Sequence, residues 1–302
     1  MLKRLRKYWH AGYVLLLFGF TIFVLLKTFV IPSVEKSDVE STGIYASEET
    51  NAKTNQAIST ENSYSDENIS IELNKERIYD TTVYIADIKL NNIKYFKTAL
   101  AENSFGRNIN EKVSEMAKEK GAILAINGDF YGFRSEGYVT RNGLLYRDNY
   151  AFADDEVLAV FEDGSCKIDT CGNVTAESLM ENGAVQILSF GPGLVEAGEI
   201  DQEGIISNHR TSPEEKNPRT AIGMIEPLHY IFVVCDGRTV DDTGMTLSDL
   251  AIIMRDYGCK EAYNLDGGGS SAMYFNGQVV NKPTDGQKSG EREVSDIVYI
   301  GY

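Results

Sequence analysis

The sequence predicts an α+β domain, a mixed β-sheet with flanking helices, carried behind one N-terminal transmembrane helix. Three observations predict it. An apolar run of membrane-spanning length opens the chain. Strand-like and helix-like patterns then mix without strict βαβ alternation. An apolar content of 42% over 302 residues is enough to bury a sizeable core.

The apolar run covers residues 11–31. A bilayer core needs roughly 20 such residues. Lys27 interrupts it near the far end, where a long side chain can snorkel to the interface. The basic cluster Lys3, Arg4, Arg6 and Lys7 precedes it, which orients the N-terminus toward the cytoplasm. A cleaved signal peptide is the alternative. The run is longer than a typical signal and no A-x-A-like site follows, which favours an uncleaved anchor over residues 1–32. The body is then expected outside the cytoplasm, on a single-pass protein of the cell membrane.

Residues 33–68 are rich in Ser, Glu, Asn and Thr and poor in large apolar residues. That composition predicts a disordered acidic linker. The folded domain is expected over 69–302. Ile78–Leu90 alternates apolar and polar residues and reads as a strand. Asn110–Lys120 places Val113, Met116 and Ala117 on one face, with Gly121 as a stop, and reads as a helix. Ala122–Ile126 follows as a short buried strand. Thr246–Tyr257 reads as a second helix, with Thr246 and Asp249 spaced as a capping box. Gly258 ends it, and Glu261–Leu265 is the next strand. Asn276-Gly277 between Ala272–Phe275 and Gln278–Asn281 is a hairpin signal. Ile297–Ile300 is the last strand.

The formal net charge is −16. Residues 1–32 hold five Lys/Arg and no Asp or Glu, so the acidic excess lies in the body. An acidic body without a basic stripe argues against nucleic acid as a partner. Four cysteines are too few for a disulfide-built scaffold. Cys235 ends the apolar run Ile231–Cys235 and reads as a buried small hydrophobe. Cys166 and Cys171 are close enough in sequence to pair in an oxidising compartment. No Cys/His cluster suggests zinc, Asp241-Asp242 reads as a turn, and no cofactor is called for.

Two units echo each other. Gly121 is followed by Asn127 six residues later and Asp129 eight later. Gly258 is followed by Asn264 and Asp266 at the same spacings. Each unit runs helix, glycine, short strand, Asn-x-Asp. Residues two apart on a strand share a face, so each unit offers an amide and a carboxylate at a strand C-terminus. Ligands in open sheets commonly sit there.

Asp266-Gly267-Gly268-Gly269-Ser270-Ser271 is the most unusual string. Three consecutive glycines cost conformational entropy. They make sense where a backbone must approach a ligand closely or present N–H groups to an anion. A tight turn without a ligand is the alternative. No Gly-Lys-Ser/Thr follows, so the string is not a P-loop. Ala272 breaks any G-x-S-x-G elbow. A serine hydrolase would also need a base, and of three histidines only His209 lies in a loop free to reach a serine such as Ser270.

Three arginines stand beside turn signals: Arg219 after Pro218, Arg238 in Asp236-Gly237-Arg238, and Arg292 before the last strand. One such arginine alone is usually a solvated charge. Three together suggest forks for phosphate or carboxylate. Asp129 and Asp266 could form a carboxylate pair for glycosidic cleavage, or either could instead cap a helix or bind a divalent cation.

The strings Ala125-Ile-Asn-Gly-Asp-Phe-Tyr131, Asn217-Pro-Arg-Thr-Ala-Ile-Gly223, Asp236-Gly-Arg238, Asn264-Leu-Asp-Gly-Gly-Gly-Ser-Ser271 and Arg292-Glu-Val-Ser-Asp296 together resemble the phosphodiester glycosidase family, over roughly residues 80–302 and in the expected order. Bacterial members are often labelled exopolysaccharide biosynthesis proteins. The resemblance implies hydrolysis of a sugar-1-phosphodiester on the sugar side, giving free sugar and a phosphomonoester, on cell-surface glycans or wall polymers. It implies a site lined by Asn127, Asp129, Arg219, Asp236, Arg238, Asn264, Asp266, Gly268, Gly269, Ser270 and Arg292. Asp266 and Asp129 would be the catalytic pair, and the remainder would bind substrate. Some members carry a second glycine at position 129, which makes Asp129 the weaker of the two. Ser295-Asp296 stands where some members have Ser-Asn. In this scheme Arg219 and Arg292 clamp the phosphate, Asp266 activates water or a nucleophile, and Asn127 and Asn264 hold sugar hydroxyls. The rivals are a non-catalytic glycopolymer-binding module and a serine hydrolase.

Overall fold

The computed structural model describes residues 2–37, 43–45, 57–208, 211–286 and 288–302. A nine-stranded sheet runs through the body. Its order is Glu199–Ile200, Gly193–Glu196, Glu261–Asn264, Arg219–Glu226, His229–Cys235, Thr81–Leu90, Ile69–Ile78, Ser63–Ser65 and Ile58–Ser59. A five-stranded sheet covers part of one face, ordered Gln278–Val279, Met273–Phe275, Leu124–Asn127, Asp296–Ile300 and Phe96–Leu100. A second five-stranded sheet holds Leu144–Arg147, Val139–Arg141, Ala184–Leu188, Glu156–Phe161 and Cys166–Thr170. Together with a few helices this is the expected α+β architecture, mostly β.

The central strands are buried on both faces. Tyr84, Ala86 and Ile88, with Tyr230, Phe232 and Val234, face the smaller sheets. Val83, Ile85, Ile231, Val233 and Cys235 face the helix Leu247–Asp256. Two apolar faces explain why Ile231–Cys235 reads as an unbroken apolar run. Burial of each large side chain stabilises by about 1.5–3 kcal/mol. The first five-stranded sheet works in the same way. Leu124, Ile126, Val298 and Ile300 point into the shared core. Ala125, Ile297 and Tyr299 point out against Val113, Met116 and Ala117 of the helix Val113–Glu119.

Local chemistry sets the punctuation. Thr246 accepts from Asp249 N at 3.0 Å, and the Asp249 side chain accepts from Thr246 N at 3.2 Å. The capping box therefore forms as its spacing predicts. Gly121 and Gly258 both stop their helices at positive φ, +61° and +85°. Asn276-Gly277 turns a two-residue hairpin with both φ positive.

Two expectations need correction. The strand expected from Ile78 starts at Thr81, because Tyr79 and Asp80 form a tight hairpin with φ of 50° and 58°. Pairing also reaches into the expected linker. Ser63–Ser65 pairs with Ile69–Ile78, and Ser33–Ser37 pairs with Ser104–Arg107. Residues 38–42 and 46–56 of that linker lie outside the described residues.

One apolar helix, Leu2–Phe29, contains Trp9–Phe29, which is long and apolar enough to cross a membrane and has exposed side chains. Its length and composition suit a membrane anchor or a signal sequence. All four cysteines are buried and no disulfide joins them.

Candidate functional site

The two echoed strands lie in different sheets but end together. Leu124–Asn127 belongs to the first five-stranded sheet and Glu261–Asn264 to the nine-stranded one. Asn127 Nδ2 donates to Asp266 O at 2.7 Å. Asn127 Oδ1 accepts from Thr220 Oγ1 at 2.8 Å. The buried amide of one unit thus fixes the backbone that carries the carboxylate of the other.

Asp266 keeps part of its surface exposed. Burial pushes its carboxyl up to about 6. Hydrogen bonds from the Ser270 side chain and the Gly267 backbone oppose that rise, as do the charges of Arg292 and Arg134. A carboxyl held near neutrality beside cations is an arrangement suited to proton transfer.

The glycines after Asp266 make room for guanidinium groups. A Cβ on Gly268 would lie 2.8 Å from Arg238 Nη2. One on Gly269 would lie 2.7 Å from Arg292 Cζ. Gly268 also has a φ of +62°. The close approach inferred from the glycine run is therefore made by two arginines of the chain itself. Arg238 sits at a strained φ of 61° and donates to Asn217 Oδ1 from Nε and Nη2, at 3.1 and 2.9 Å. Arg292 Nε donates to Asp285 Oδ1 at 3.0 Å. Asp285 lies in a short hairpin strand, Thr284–Asp285, packed near the loop.

Other expected site residues are held by the protein itself. Arg219 flanks the loop, with its Cδ 3.8 Å from where a Cβ on Gly267 would lie. Its Nε donates to Met245 O, and Nη2 donates to Ser212 O and Glu215 O. The guanidinium is buried and braces a loop instead of reaching for a ligand. Asp236 is a buried strut: its Oδ1 accepts from Lys282 N at 2.7 Å, and Thr81 Oγ1 donates to its backbone carbonyl. Asn264 Nδ2 donates to Gly191 O, while its buried Oδ1 finds no partner among the described residues.

Asp129 is sealed in an ion cluster. Its Oδ2 pairs with Arg141 Nη2 at 2.9 Å and accepts from Ser189 N at 2.9 Å. Its Oδ1 accepts from Tyr131 N at 3.0 Å. Arg141 also holds Asp296, with Nε 2.8 Å from Oδ2. All three side chains are buried, at 2% exposure or less. Two carboxylates thus share one guanidinium. Burial, then the charges of Asp129 and Asp266, push Asp296 up to about 7 against the pull of Arg141. Asp296 Oδ1 is buried without a partner among the described residues. It packs so closely on Gly128 that a Cβ there would lie 2.3 Å away. This is why a glycine stands between Asn127 and Asp129.

Ser270 serves Asp266, and no histidine with described coordinates reaches it. His229 pairs with Asp87 at 2.8 Å on the sheet. His209 lies outside the described residues. As for cations, Glu156, Glu196 and Asp201 each bring a carboxylate oxygen within 4.8 Å of the others. Burial and its two acidic neighbours push Glu196 up to about 7. This cluster shares no residue with the Asp266 loop.

A family model described as phosphodiester glycosidase matches residues 120–301. The chain belongs to the phosphodiester glycosidase family. It is 34% identical over 206 residues to the SPbeta prophage-derived uncharacterized protein YomE of Bacillus subtilis (strain 168), covering 66% of this chain and 31% of that one. It is 25% identical over 207 residues to N-acetylglucosamine-1-phosphodiester alpha-N-acetylglucosaminidase of Mus musculus, covering 62% of this chain and 39% of that one. The chain thus spans about a third of the length of these relatives. The solved catalytic domain of the zebrafish N-acetylglucosamine-1-phosphodiester alpha-N-acetylglucosaminidase, auto-inhibited by its pro-peptide, shares the fold. The TM-score is 0.63 at 22% identity, covering 78% of this chain and 83% of that one.

Sequence reasoning about this phosphodiester glycosidase domain missed Arg134, Arg141 and Asp285. Arg141 ends a short buried strand, Val139–Arg141, with its Asp296 partner 155 positions away. No local spacing signals that contact. Arg134 closes the aromatic run Phe130-Tyr131-Gly132-Phe133, whose position just after Asp129 was an available hint.

Proposed function

We propose that this chain hydrolyses a sugar-1-phosphodiester at the sugar carbon, releasing free sugar and a phosphomonoester. The observation that carries the reading is Asp266. It is a residue with part of its surface open, its carboxyl raised by burial to about 6, on a loop against which Arg238 and Arg292 lie. Phosphate is a good leaving group once its charge is held, so the demand falls on the sugar side. There an oxocarbenium-like centre must be stabilised and water activated. Asp266 in its ionised form does both. Gly268, Gly269 and Ser270 hold the loop in place, and Arg292 and Arg238 face the phosphate. Asn264 Oδ1 is the free acceptor for a sugar hydroxyl. Asn127 positions Asp266 through the backbone. Asp129 shapes the neighbouring wall through Tyr131 and Ser189, Asp236 braces the loop that carries Asp285, and Arg219 holds the 212–215 loop.

In the same reading the apolar helix anchors the chain through residues 11–31. The domain then works outside the cell membrane on phosphate-bearing glycans or wall polymers. No cofactor is required.

The test is to incubate the full chain with a panel of sugar-1-phosphodiesters and wall polymers and assay free sugar and new monoester phosphate. Release is expected from at least one of them, and Asp266→Asn should lower it by roughly a thousandfold. Binding of a polymer with no product released would instead identify a glycopolymer-binding module.

A further inference from the structure

Arg134 belongs to none of the motifs that mark the Asp266 loop. It follows the short helix Tyr131–Phe133, on the segment that begins at Asp129. It is half-buried. Nη2 donates to Ser189 O at 2.7 Å. Nε is buried and finds no hydrogen-bond partner among the described residues. The described ion pairs give it no carboxylate, in contrast to Arg292, which has Asp285, and Arg141, which has two.

A buried donor left unpaired costs about 1–3 kcal/mol. A half-buried cation without a counter-ion adds desolvation to that cost. An anion at the open part of the guanidinium supplies the missing counter-charge.

The guanidinium is also held in place. The rings of Phe130 and Phe190 lie 6.0 and 5.3 Å from its Cζ. Phe130 stacks on Phe133 at 4.5 Å. Phe190 N donates to Tyr263 Oη at 2.9 Å, and Ser189 N donates to Asp129 Oδ2. Arg134 cannot fold away without disturbing that wall. Ser189, which holds Arg134, lies two residues before Gly191, and Gly191 exchanges hydrogen bonds with Asn264, two residues before Asp266. Arg292 lies against Gly269, on the other side of Asp266 in the chain, and both charges favour the ionised form of that carboxyl.

We infer that Arg134 and Arg292 form the two sides of an anion subsite beside Asp266 that takes the singly charged phosphate of a diester. The inference rests on the hydrolytic reading above and deepens it. It gives the second clamp position to Arg134, since Arg219 donates to carbonyls from Nε and Nη2. It also separates substrate from product. A phosphomonoester carries most of a second negative charge at pH 7, and the Asp266 carboxylate repels it.

The probe is the methyl diester of N-acetylglucosamine 1-phosphate, with methyl α-N-acetylglucosaminide as a neutral control. Equilibrium binding is measured by calorimetry on the full chain carrying Asp266→Asn, and sugar release is measured on the chain with Asp266 intact. Adding Arg134→Gln should weaken diester binding on the order of tenfold or more and change binding of the neutral sugar less than about twofold. Arg134→Lys should recover part of the loss, and the melting temperatures report whether each variant is folded. Unchanged diester binding in a folded Arg134→Gln chain overturns the inference, as does a parent chain that binds no diester. If diester binding depends on Arg134 but the chain with Asp266 intact releases no sugar, the subsite stands and the hydrolytic reading falls. If sugar is released equally well without Arg134, the hydrolytic reading stands and the subsite falls.

Discussion

Asn127-Gly128-Asp129 and Asn264-Leu265-Asp266 end equivalent helix–glycine–strand units, and each carboxylate follows its amide at the same spacing. Their surroundings differ. Asp129 meets Arg141 inside the protein, accepts two backbone N–H groups and has no exposed surface to offer. Asp266 meets solvent, a serine and a loop lined by arginines, and its carboxyl rises to about 6. The residue between amide and acid differs for the same reason. Gly128 makes room for Asp296, whereas Leu265 fills the core. A shared motif sets where a carboxylate stands. The groups it meets decide whether it is sealed in the core or left beside an open surface.

The comparison breaks first at Arg141. Replacing Arg141 by Met leaves two buried carboxylates without their cation. Removing one partner of a buried pair costs about 3–5 kcal/mol. For a chain of this size that is on the order of 10 °C in melting temperature, which a thermal scan reads directly. Asp285→Asn, which disturbs the other unit's arginine at a half-exposed pair, should move the melting point far less.

A smaller effect follows from Asp296, whose folded carboxyl lies near 7 against an ordinary 3.8. The sign is set by the raised value. The folded state holds the proton more tightly than the unfolded chain, so this group costs nothing below about 4. It progressively destabilises the fold as pH rises toward 7, and the cost stays constant above that. Asp296→Asn should therefore raise the melting temperature by a few degrees at pH 8 and leave it nearly unchanged at pH 4. A shift that is equal at both pH values would mean that the buried cluster is not carrying excess negative charge.

Much of this contrast was legible before any coordinates. The capping box at Thr246 and Asp249, the Asn276-Gly277 turn and the two glycine stops are local signals, and each formed as its chemistry requires. Asp266 and its glycines were legible because three consecutive glycines point to a close approach. The hairpin at Tyr79-Asp80 was not, since no glycine marks it and Tyr79 is not a usual occupant of left-handed backbone. The fate of Asp129 was not legible either. It depends on Arg141, which reaches Asp296 from another sheet. Arg219 carried a local phosphate-like signal, but the carbonyls of Ser212, Glu215 and Met245 accept from its Nε and Nη2. Charge partners are set by tertiary contacts, and a residue pattern along one chain holds few of them.

The most direct measurement sets Asp129→Asn beside Asp266→Asn, recording turnover of a sugar-1-phosphodiester and the melting temperature of each. Asparagine at 129 cannot accept every hydrogen bond that the carboxylate does, so it should cost about 1–3 kcal/mol of stability while turnover stays within severalfold. Asparagine at 266 should remove turnover by roughly a thousandfold and leave the melting temperature within a couple of degrees. Loss of turnover in both, with both folds intact, would contradict the account and make the two carboxylates a catalytic pair.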